Sequence, residues 1–334
     1  MKALTIASYN PNLIRAMQGM KIVDLPMLKP GEGEVLIKID LAPVNPSDIA
    51  FLRGGYNISR ILPAIPGFEG TGKIIETGKG VDPALLNRRV SFFSQDENGT
   101  WAEFTVVDVN NCILVDENLP REQAACLFVN PFTARGMFDH VMNNGHEAMI
   151  QSAAMGQIGQ FIRFFAKEHN LKVINLVRKD THVDALKIEG QHHVLNINHE
   201  NFATDLKQMA NDLNATAALD AVGGELTGKL LNAMPAGSEV ILYGGLSGAP
   251  VGQIDPLEII FNNKILWGFN LGDWMNDLSE NELSHISQEI QQLFIQKKLE
   301  TKIQQVYPLE NFYEGLRSYI SNMSGGKVLF KCDA

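Results

Sequence analysis

Cysteine is scarce in this chain of 334 residues, and histidine is missing from its first third. The three cysteines are far apart and odd in number, so they offer no disulfide framework and suit the reducing cytoplasm. Three scattered cysteines also cannot build a four-cysteine structural zinc site. Because the first histidine is His140, the N-terminal segment cannot supply an imidazole ligand to a metal. We expect a cytoplasmic protein without a structural zinc site.

Long hydrophobic runs and an excess of positive charge are missing as well. No apolar run approaches the ~20 residues of a membrane-spanning helix, and the N-terminus lacks the apolar segment of a secretory signal. The formal net charge of −10 argues against nucleic acid as a general partner. The sequence therefore predicts neither a membrane nor a nucleic acid as partner, and the motifs described below indicate a small-molecule substrate.

The chain is too long for one ordinary core, and its pattern changes near residue 120, so we expect two domains. Residues 1–119 carry strand patterns at 35–39, 70–76, 89–93 and 101–106, with little helical periodicity. From Pro120 onward, strand and helix patterns alternate, which indicates a parallel sheet covered by helices. We assign residues 1–119 and 273–334 to a β-rich domain, to which the last strand at 327–331 returns, and residues 120–272 to an α/β domain.

The most specific local pattern is a run of small residues between a predicted strand and a predicted helix. It ends in the turn Gly156-Gln157-Ile158-Gly159, and a second apolar strand follows at 171–177. Such a strand–turn–helix–strand unit is typical of a dinucleotide site, because the glycines let the backbone approach the pyrophosphate. The helix N-terminus adds free N–H groups and a favourable dipole. We expect residues 156–159 to bind a dinucleotide.

The residues that follow the second strand predict which dinucleotide binds. An acidic residue there would bond the ribose of NAD, whereas arginine can hold the 2′-phosphate of NADP. The chain has Arg178 and Lys179 at this position, so we predict NADPH. The segment Tyr243-Gly244-Gly245 ends another predicted strand and should lie at the same carboxyl edge of the sheet, where open α/β sheets bind ligands.

Motifs over nearly the whole chain resemble those of the medium-chain dehydrogenases/reductases. They are Val44-Asn45-Pro46-Ser47-Asp48, Pro66-Gly67-Phe68-Glu69-Gly70-Thr71-Gly72, the dinucleotide turn, Leu219-Asp220-Ala221-Val222-Gly223-Gly224 and Gly326-Lys327-Val328-Leu329-Phe330. The resemblance implies an α/β protein with a GroES-like, β-rich catalytic domain and a Rossmann domain with a doubly wound parallel sheet, separated by a cleft.

The same resemblance bears on assembly. In this superfamily the last strand of the cofactor sheet often pairs with its twin across a two-fold axis, and the matching strand here is 265–269. An apolar edge strand that stays unpaired is a liability, and two-fold pairing satisfies both copies at once. We therefore expect a homodimer.

Zinc-dependent members of the superfamily hold their catalytic metal through a cysteine, the histidine of a Gly-His-Glu motif and a second cysteine. The matching positions here are Asn45, Phe68 and Asn130, so the resemblance implies a site with no metal. Without a Lewis acid, polarising an alcohol oxygen toward hydride loss becomes difficult. We therefore reject the zinc alcohol dehydrogenases as the matching branch.

The chain looks most like the zinc-free 2-enoyl thioester reductases and quinone reductases. Tyr56 matches a tyrosine that delivers a proton or positions the substrate, with a tyrosine that packs its own loop as the less favoured alternative. Asn45 is a second catalytic candidate, with a plain turn residue as the alternative. The resemblance also implies cofactor contacts at Asn130, Thr133, Phe269 and Lys327, and substrate contacts at Phe68 and Trp274. Arg135 stands where that branch usually has tyrosine.

Two of these residues keep a simpler alternative: Thr133 as a helix-terminus residue and Lys327 as a solvated lysine. The activity that the resemblance implies is NADPH-dependent reduction of the conjugated C=C bond of an α,β-unsaturated carbonyl compound, which could be a 2-enoyl thioester. One alternative is NADPH:quinone reduction, because a quinone is also a conjugated acceptor. Another is an NADPH-binding protein without turnover.

Overall fold

The computed structural model describes residues 1–95 and 97–332. Contacts divide the chain into two compact units, one of Met1–Pro131 with Asn281–Ala334 and the other of Phe132–Glu280. Both divisions therefore fall later along the chain than the boundaries drawn from sequence, which were 119/120 and 272/273. The first shift is explained by Gln123, whose side-chain amide exchanges two hydrogen bonds with the backbone of Thr301, at 3.0 and 2.8 Å. These bonds hold residues near 123 to the first unit.

The strands of the described residues are β1 (Lys2–Ile6), β2 (Met20–Asp24), β3 (Glu34–Pro43), β4 (Glu69–Thr77), β5 (Arg89–Phe93), β6 (Phe104–Asp108), β7 (Cys112–Leu114), β8 (Ala148–Gln151), β9 (Lys172–Val177), β10 (Val194–Asn196), β11 (Ala217–Asp220), β12 (Glu239–Leu242), β13 (Ile265–Gly268), β14 (Ile303–Pro308) and β15 (Lys327–Lys331).

The α-helices are α1 (Leu13–Gln18), α2 (Pro46–Leu52), α3 (Arg121–Ala125), α4 (Val129–Asn143), α5 (Gln157–Glu168), α6 (Asp180–Ile188), α7 (Phe202–Asp212), α8 (Glu225–Ala233), α9 (Pro256–Asn262), α10 (Leu271–Asn276), α11 (Glu280–Ile295) and α12 (Phe312–Ser321). No helix among the described residues is long and apolar enough to cross a membrane.

The first unit is built on a seven-stranded sheet in the order β14-β15-β3-β4-β5-β7, with β6 paired to β3, and on a β1–β2 hairpin. Strand β15 pairs antiparallel with β3, which confirms that the last strand returns to the first domain. Most side chains of β3 are buried, because residues on both of its faces pack into the core. Large aromatic side chains fill that core, among them Phe51, Phe68, Phe92 and Trp101.

Two short helices, α1 and α2, interrupt the segment in which sequence patterns indicated strands alone. Each is too short to show helical periodicity. Helix α2 begins with Pro46 at its first turn, directly after Asn45, and proline is well suited to that position because its φ angle is already helical. The strand expected at 101–106 begins later, at Phe104. Trp101 instead lies fully buried before that strand, and its indole N–H donates to the carbonyl of Pro43 at 3.3 Å.

The second unit is a six-stranded parallel sheet in the order β10-β9-β8-β11-β12-β13. Numbered from β8, this is the order 3-2-1-4-5-6 of a Rossmann fold. The order reverses between β8 and β11, and ligands of such sheets bind at this switch point, beyond the carboxyl ends of the strands. Strand β13 lies at one edge of the sheet, as expected from sequence.

Candidate functional site

The predicted dinucleotide turn of the second unit links β8 to α5. Gly156 precedes the first residue of α5, so the free N–H groups of that helix face the position where a pyrophosphate would bind. Gly159 lies against the turn between β8 and α5, because a Cβ atom there would be only 2.4 Å from the carbonyl oxygen of Ala154. Gly159 therefore allows the helix to pack closely on the segment that follows the strand, as the last glycine of the dinucleotide fingerprint does. Gln157 and Ile158 form the first turn of α5 between these two glycines.

A buried carboxylate fixes the neighbouring strand end. Asp220, the last residue of β11, is fully buried and accepts hydrogen bonds from the hydroxyls of Ser152 and Thr227, both at 2.7 Å. It also accepts from the backbone N–H groups of Val222 at 2.8 Å and Gly223 at 3.3 Å. These bonds tie the loops after β8 and β11 together at the switch point. The Leu219–Gly224 motif was recognised from sequence, but the role of Asp220 in it was not.

Tyr243, Gly244 and Gly245 follow β12 directly, at the same carboxyl edge. The backbone N–H of Tyr243 donates to the carbonyl of Asp220 at 3.0 Å, so this segment continues alongside β11. Burial, followed by the charge of Asp220, raises the pKa of the Tyr243 phenol, which therefore stays protonated. A Cβ atom at Gly244 would lie 2.7 Å from the carbonyl oxygen of Ala221. Only glycine permits this approach of the two strand ends.

Arg178 and Lys179 connect β9 to α6 and are exposed. Neither side chain makes an ion pair or hydrogen bond within the part of the chain that the structure describes. The backbone carbonyl of Arg178 accepts from the side-chain amide of Asn198 at 2.9 Å, which fixes the connection against the segment after β10. Two cations thus lie together without an acidic partner at the end of the second strand, where a 2′-phosphate would bind.

Phe269 and Trp274 pack together beside α4, with ring centroids 6.3 Å apart. A Cβ atom at Gly136 of α4 would lie 2.8 Å from the Phe269 ring and 2.7 Å from the Trp274 ring. Glycine at 136 therefore lets both rings reach the helix, a contact that sequence reasoning did not find. Thr133 lies one turn earlier on α4 and is buried, and so is Asn130 in the first turn.

In the first unit, Asn45, Glu69 and Lys327 form a buried polar network. The Lys327 ammonium donates to the amide oxygen of Asn45, and the Asn45 amide N–H donates to Glu69 Oε2 at 3.0 Å. The other oxygen of Glu69 accepts the backbone N–H of Val129 at 2.8 Å. All three network residues are at most 5% exposed, so Lys327 is not the solvated lysine considered as an alternative. Both polar groups of the Asn45 side chain are used within the network.

A second buried acid, Asp48, adjoins this network. Its Oδ2 accepts the backbone N–H of Asn45 at 2.6 Å, whereas its Oδ1 has no partner among residues 1–95 and 97–332. Burial raises the pKa of Asp48 to about 7, against the opposing effects of the Asn45 hydrogen bond and the Lys327 charge. Burial also raises the pKa of Glu69. Two carboxyls therefore compete for the charge of one buried lysine.

This arrangement predicts how stability depends on pH. The folded protein holds a proton on Asp48 up to about pH 7, whereas the unfolded chain loses it near pH 4. Stability should therefore fall as the pH rises from about 4 to 7, by up to about 1.4 kcal/mol per pH unit from this group. Asp48→Asn keeps the acceptor for Asn45 and cannot ionise, so it should flatten the dependence. Urea unfolding from pH 4.5 to 8 measures this.

The matched control for that experiment is Glu76→Gln, which alters an exposed carboxyl on β4 of the same sheet. It should leave the pH dependence of the unfolding free energy unchanged. An Asp48→Asn variant with the same slope as the parent protein would show that Asp48 is ionised when folded.

Tyr56 lies at the edge of an aromatic cluster in the first unit. Its ring centroid is 5.0 Å from that of Phe68, and the Phe68 ring also lies near Phe51 at 5.4 Å and Phe93 at 6.3 Å. Burial, followed by the charge of Asp48, raises the pKa of Tyr56, so the phenol stays protonated. Within residues 1–95 and 97–332, no group forms a hydrogen bond with its hydroxyl. The hydroxyl is thus a donor without an internal acceptor.

The residues at the positions of the family's zinc ligands do not fit a metal. Phe68 is fully buried among aromatic rings, and the Asn45 side chain is bonded to Glu69 and Lys327. The Arg60 guanidinium lies 4.7 Å from the centroid of the Phe68 ring and donates to the carbonyls of Ile65, Gly67 and Ser94. No group of three or more His, Cys, Asp or Glu side chains that could hold a metal ion occurs among the described residues.

Comparisons with known proteins place this geometry in a family. Residues 31–117 match the alcohol dehydrogenase GroES-like domain, and residues 158–288 match the domain described as zinc-binding dehydrogenase. The mitochondrial enoyl-[acyl-carrier-protein] reductase of Bos taurus is 30% identical over 295 residues, which cover 84% of this chain and 78% of the relative.

Solved structures agree with these matches. A Mesorhizobium loti protein with the provisional name NADPH:quinone reductase is 31% identical and has a TM-score of 0.92, with 99% of this chain and 98% of that chain covered. A mutant form of the enoyl thioester reductase of Candida tropicalis has the same fold, with 22% identity, a TM-score of 0.76 and 99% of each chain covered. The chain therefore belongs to the medium-chain dehydrogenase/reductase family and is an oxidoreductase.

Proposed function

We propose that this oxidoreductase uses NADPH to reduce the conjugated C=C bond of an α,β-unsaturated carbonyl compound, and that it does so without a metal. The observation that carries the proposal is the Tyr56 hydroxyl, which is protonated and has no acceptor within the described residues. A reduced C=C bond needs a proton after it has received hydride, and a phenol in this state is a suitable donor. The enoyl reductases among the relatives support the same reaction.

The residues of the second unit would hold the cofactor. The turn at Gly156–Gly159 and the N-terminus of α5 suit a pyrophosphate, and the loops after β11 and β12 complete the same carboxyl edge. Arg178 and Lys179 suit a 2′-phosphate because they are two cations without an acidic partner among the described residues. When bound, NADPH supplies the hydride for the β-carbon of the substrate.

The residues of the first unit would handle the proton. Negative charge develops on the carbonyl oxygen as the β-carbon is reduced, and hydrogen-bond donors placed there stabilise it. Tyr56 then donates its phenolic proton to the α-carbon, or orients a water that does so. Asn45 is a positioning residue in this scheme and does not itself transfer the proton. Its side-chain amide holds Glu69 and Lys327 in place. Phe68 is fully buried and supports the Tyr56 ring from the core.

Quinone reduction is a second candidate function. It is favoured by the Mesorhizobium loti relative named for that activity, which has the same fold over nearly the whole chain. A quinone accepts hydride in the same way, but its oxygens can take protons from water, so it does not require Tyr56. A protein that binds NADPH without turnover is the remaining alternative.

A substrate panel separates these functions. NADPH oxidation would be followed with 2-enoyl thioesters, enals and quinones, each with and without a chelator. The proposal expects the highest kcat/KM with an enoyl or enal substrate, unaffected by the chelator. Turnover of quinones alone would establish the second candidate, and no turnover at all would support a binding protein.

Arg178→Ala tests the choice of cofactor. A charge-assisted bond to the 2′-phosphate contributes about 1.5–3 kcal/mol, so NADPH affinity should fall by roughly 10- to 150-fold. NADH affinity should stay the same, because NADH has no 2′-phosphate. Fluorescence titration of both cofactors measures the difference. Lys172→Ala, which removes an exposed lysine at the other end of β9, is the control, and an equal NADPH loss in both variants would contradict the assignment.

We also propose that the protein is a homodimer paired through β13. This edge strand exposes 55% of Ile265, and the preceding helix α9 exposes 62% of Ile260 and 73% of Phe261. An apolar strand edge of this kind is protected by pairing with a second copy. Sedimentation at micromolar concentration should give a dimer, and Ile265→Lys should give a monomer. Ile188→Lys, at an 87% exposed position on α6, should remain dimeric; a monomeric parent protein would contradict the proposal.

A further inference from the structure

A third basic side chain lies beside Arg178 and Lys179. His182 is in the first turn of α6, and its backbone N–H donates to the carbonyl of Lys179 at 3.0 Å. Lys179 is the N-cap residue of α6, with an extended backbone, and His182 is the third residue of the helix. These two positions adjoin each other at a helix start, as in a capping box, so His182 lies close to Lys179 and to the preceding Arg178. No sequence motif pointed to His182.

The one acid next to these basic groups is held by other partners. Asp180 Oδ1 accepts from the side-chain amide of Asn196 at 2.8 Å and lies 2.7 Å from His199 Nε2. The hydrogen bond from Asn196 is the main reason that the pKa of Asp180 lies below its usual value. Asp180 is thus bonded to the end of β10 and the segment after it. Its charge is compensated there rather than by Lys179 or Arg178.

His182 is neutral at physiological pH in the absence of a ligand. Partial burial, then the charges of Lys179 and Arg178, lower its pKa below 6.5. The other ionisable groups nearby leave this unchanged: Asp184 lies two positions along α6, on another face, and His199 and Glu200 belong to the segment after β10. A bound dianion would raise the pKa of His182, because an opposite charge within about 4–6 Å favours the charged imidazole.

We propose that His182 is a third ligand of the 2′-phosphate and that it gains a proton when that phosphate binds. The inference rests on the proposed use of NADPH. Binding then follows a defined proton balance: the imidazole takes one proton from the buffer and becomes an imidazolium, and no covalent bond changes. NADPH binding is proton-linked through the protein, and NADH binding is not. In the complex, Arg178, Lys179 and His182 would all be positively charged. In the free protein only Arg178 and Lys179 are.

The proton balance can be measured without turnover. NADPH, NADH and 2′,5′-ADP would be titrated into the protein by calorimetry at pH 7.5, in buffers of different ionisation enthalpy. At this pH fewer than about one in ten His182 side chains are charged before binding, and a phosphate with a second pKa of about 6 is already dianionic. We expect an uptake of roughly 0.3–0.8 proton with NADPH and 2′,5′-ADP, and none with NADH.

His182→Gln should abolish the uptake and weaken NADPH binding by roughly three- to tenfold at pH 7, with no change for NADH. The control is His193→Gln. His193 precedes β10 at the opposite end of the sheet, and its pKa is also lowered, by partial burial and then by His192 and Lys172. This variant should keep the full uptake.

The titrations test the role of His182 separately from the choice of NADPH. Preferential NADPH binding without proton uptake would overturn the role of His182 and leave the cofactor assignment intact. Uptake that survives His182→Gln but is lost in His199→Asn would transfer the proton to His199 and overturn the proposal. Equal binding of NADPH and NADH would refute the cofactor choice itself.

Discussion

Tyr56→Phe should lower the rate of enoyl reduction by about 10²–10⁴-fold, the usual contribution of a general acid. The substitution keeps the ring that packs on Phe68 at 5.0 Å and removes only the hydroxyl. Because the loss is in the proton transfer, it should appear in kcat, with NADPH affinity unchanged. Quinone reduction should fall much less, since quinone oxygens can be protonated by water. Steady-state kinetics of the variant and the parent protein, with one enoyl substrate and one quinone, measure the ratio of enoyl to quinone turnover.

Tyr9→Phe is the matched control for this experiment. Tyr9 belongs to the same aromatic cluster, 5.2 Å from Phe51, but its hydroxyl is bonded to the backbone of Arg60, at 3.0 and 2.8 Å. Its loss should cost about 1 kcal/mol of stability and leave the ratio of enoyl to quinone turnover unchanged. Unaltered enoyl turnover in Tyr56→Phe would remove Tyr56 from the reaction and assign the proton to solvent.

Lys327→Met should destabilise the protein by about 3–5 kcal/mol, the usual cost of breaking a buried charge network on one side. Methionine fills a similar volume, so the loss is electrostatic rather than steric. Without the ammonium, the Asn45 amide oxygen loses its donor, and Glu69 and Asp48 lose the positive charge that opposes their desolvation. Urea unfolding at pH 7 measures the change in the free energy of unfolding.

Two further variants make that result specific. Lys38→Met replaces an exposed lysine on β3 of the same sheet and should change stability by less than about 0.5 kcal/mol. Glu69→Gln combined with Lys327→Met removes the uncompensated acid and should recover part of the loss. Equal effects of Lys327→Met and Lys38→Met would mean that the network contributes nothing to stability.

The Rossmann unit was largely predictable from sequence because its signals are local. Its apolar strands, its glycine turn at 156–159 and its basic residues at 178 and 179 are each patterns of a few consecutive residues. The order of the strands is that of the Rossmann fold, which the family resemblance implied. The structure confirms the edge position of β13 and the return of β15 to the first unit.

The buried network of the first unit was not predictable from local pattern. Lys327 and Asn45 are 282 positions apart in the chain, and no periodicity links them. Resemblance singled out both residues, but it implied contacts with the cofactor or the reaction rather than a contact with each other. The partners of Asp220 and the packing of Trp274 on Gly136 were missed for the same reason, since each depends on tertiary contacts between separate segments.

The position of Arg60 limits how this scaffold can be redesigned. Restoring the family's metal ligands at 45, 68 and 130 would place a divalent cation near a guanidinium that now lies 4.7 Å from the Phe68 ring. Two thiolate ligands would offset the charge of the metal, but a metal-bound histidine at 68 would remove the aromatic face against which the guanidinium now lies. Arg60 cannot simply be removed, because it bonds the carbonyls of Ile65 and Gly67 in its own loop and that of Ser94 after β5. Conversion to a metalloenzyme would therefore require a new loop from 60 to 68, and not only three new ligands.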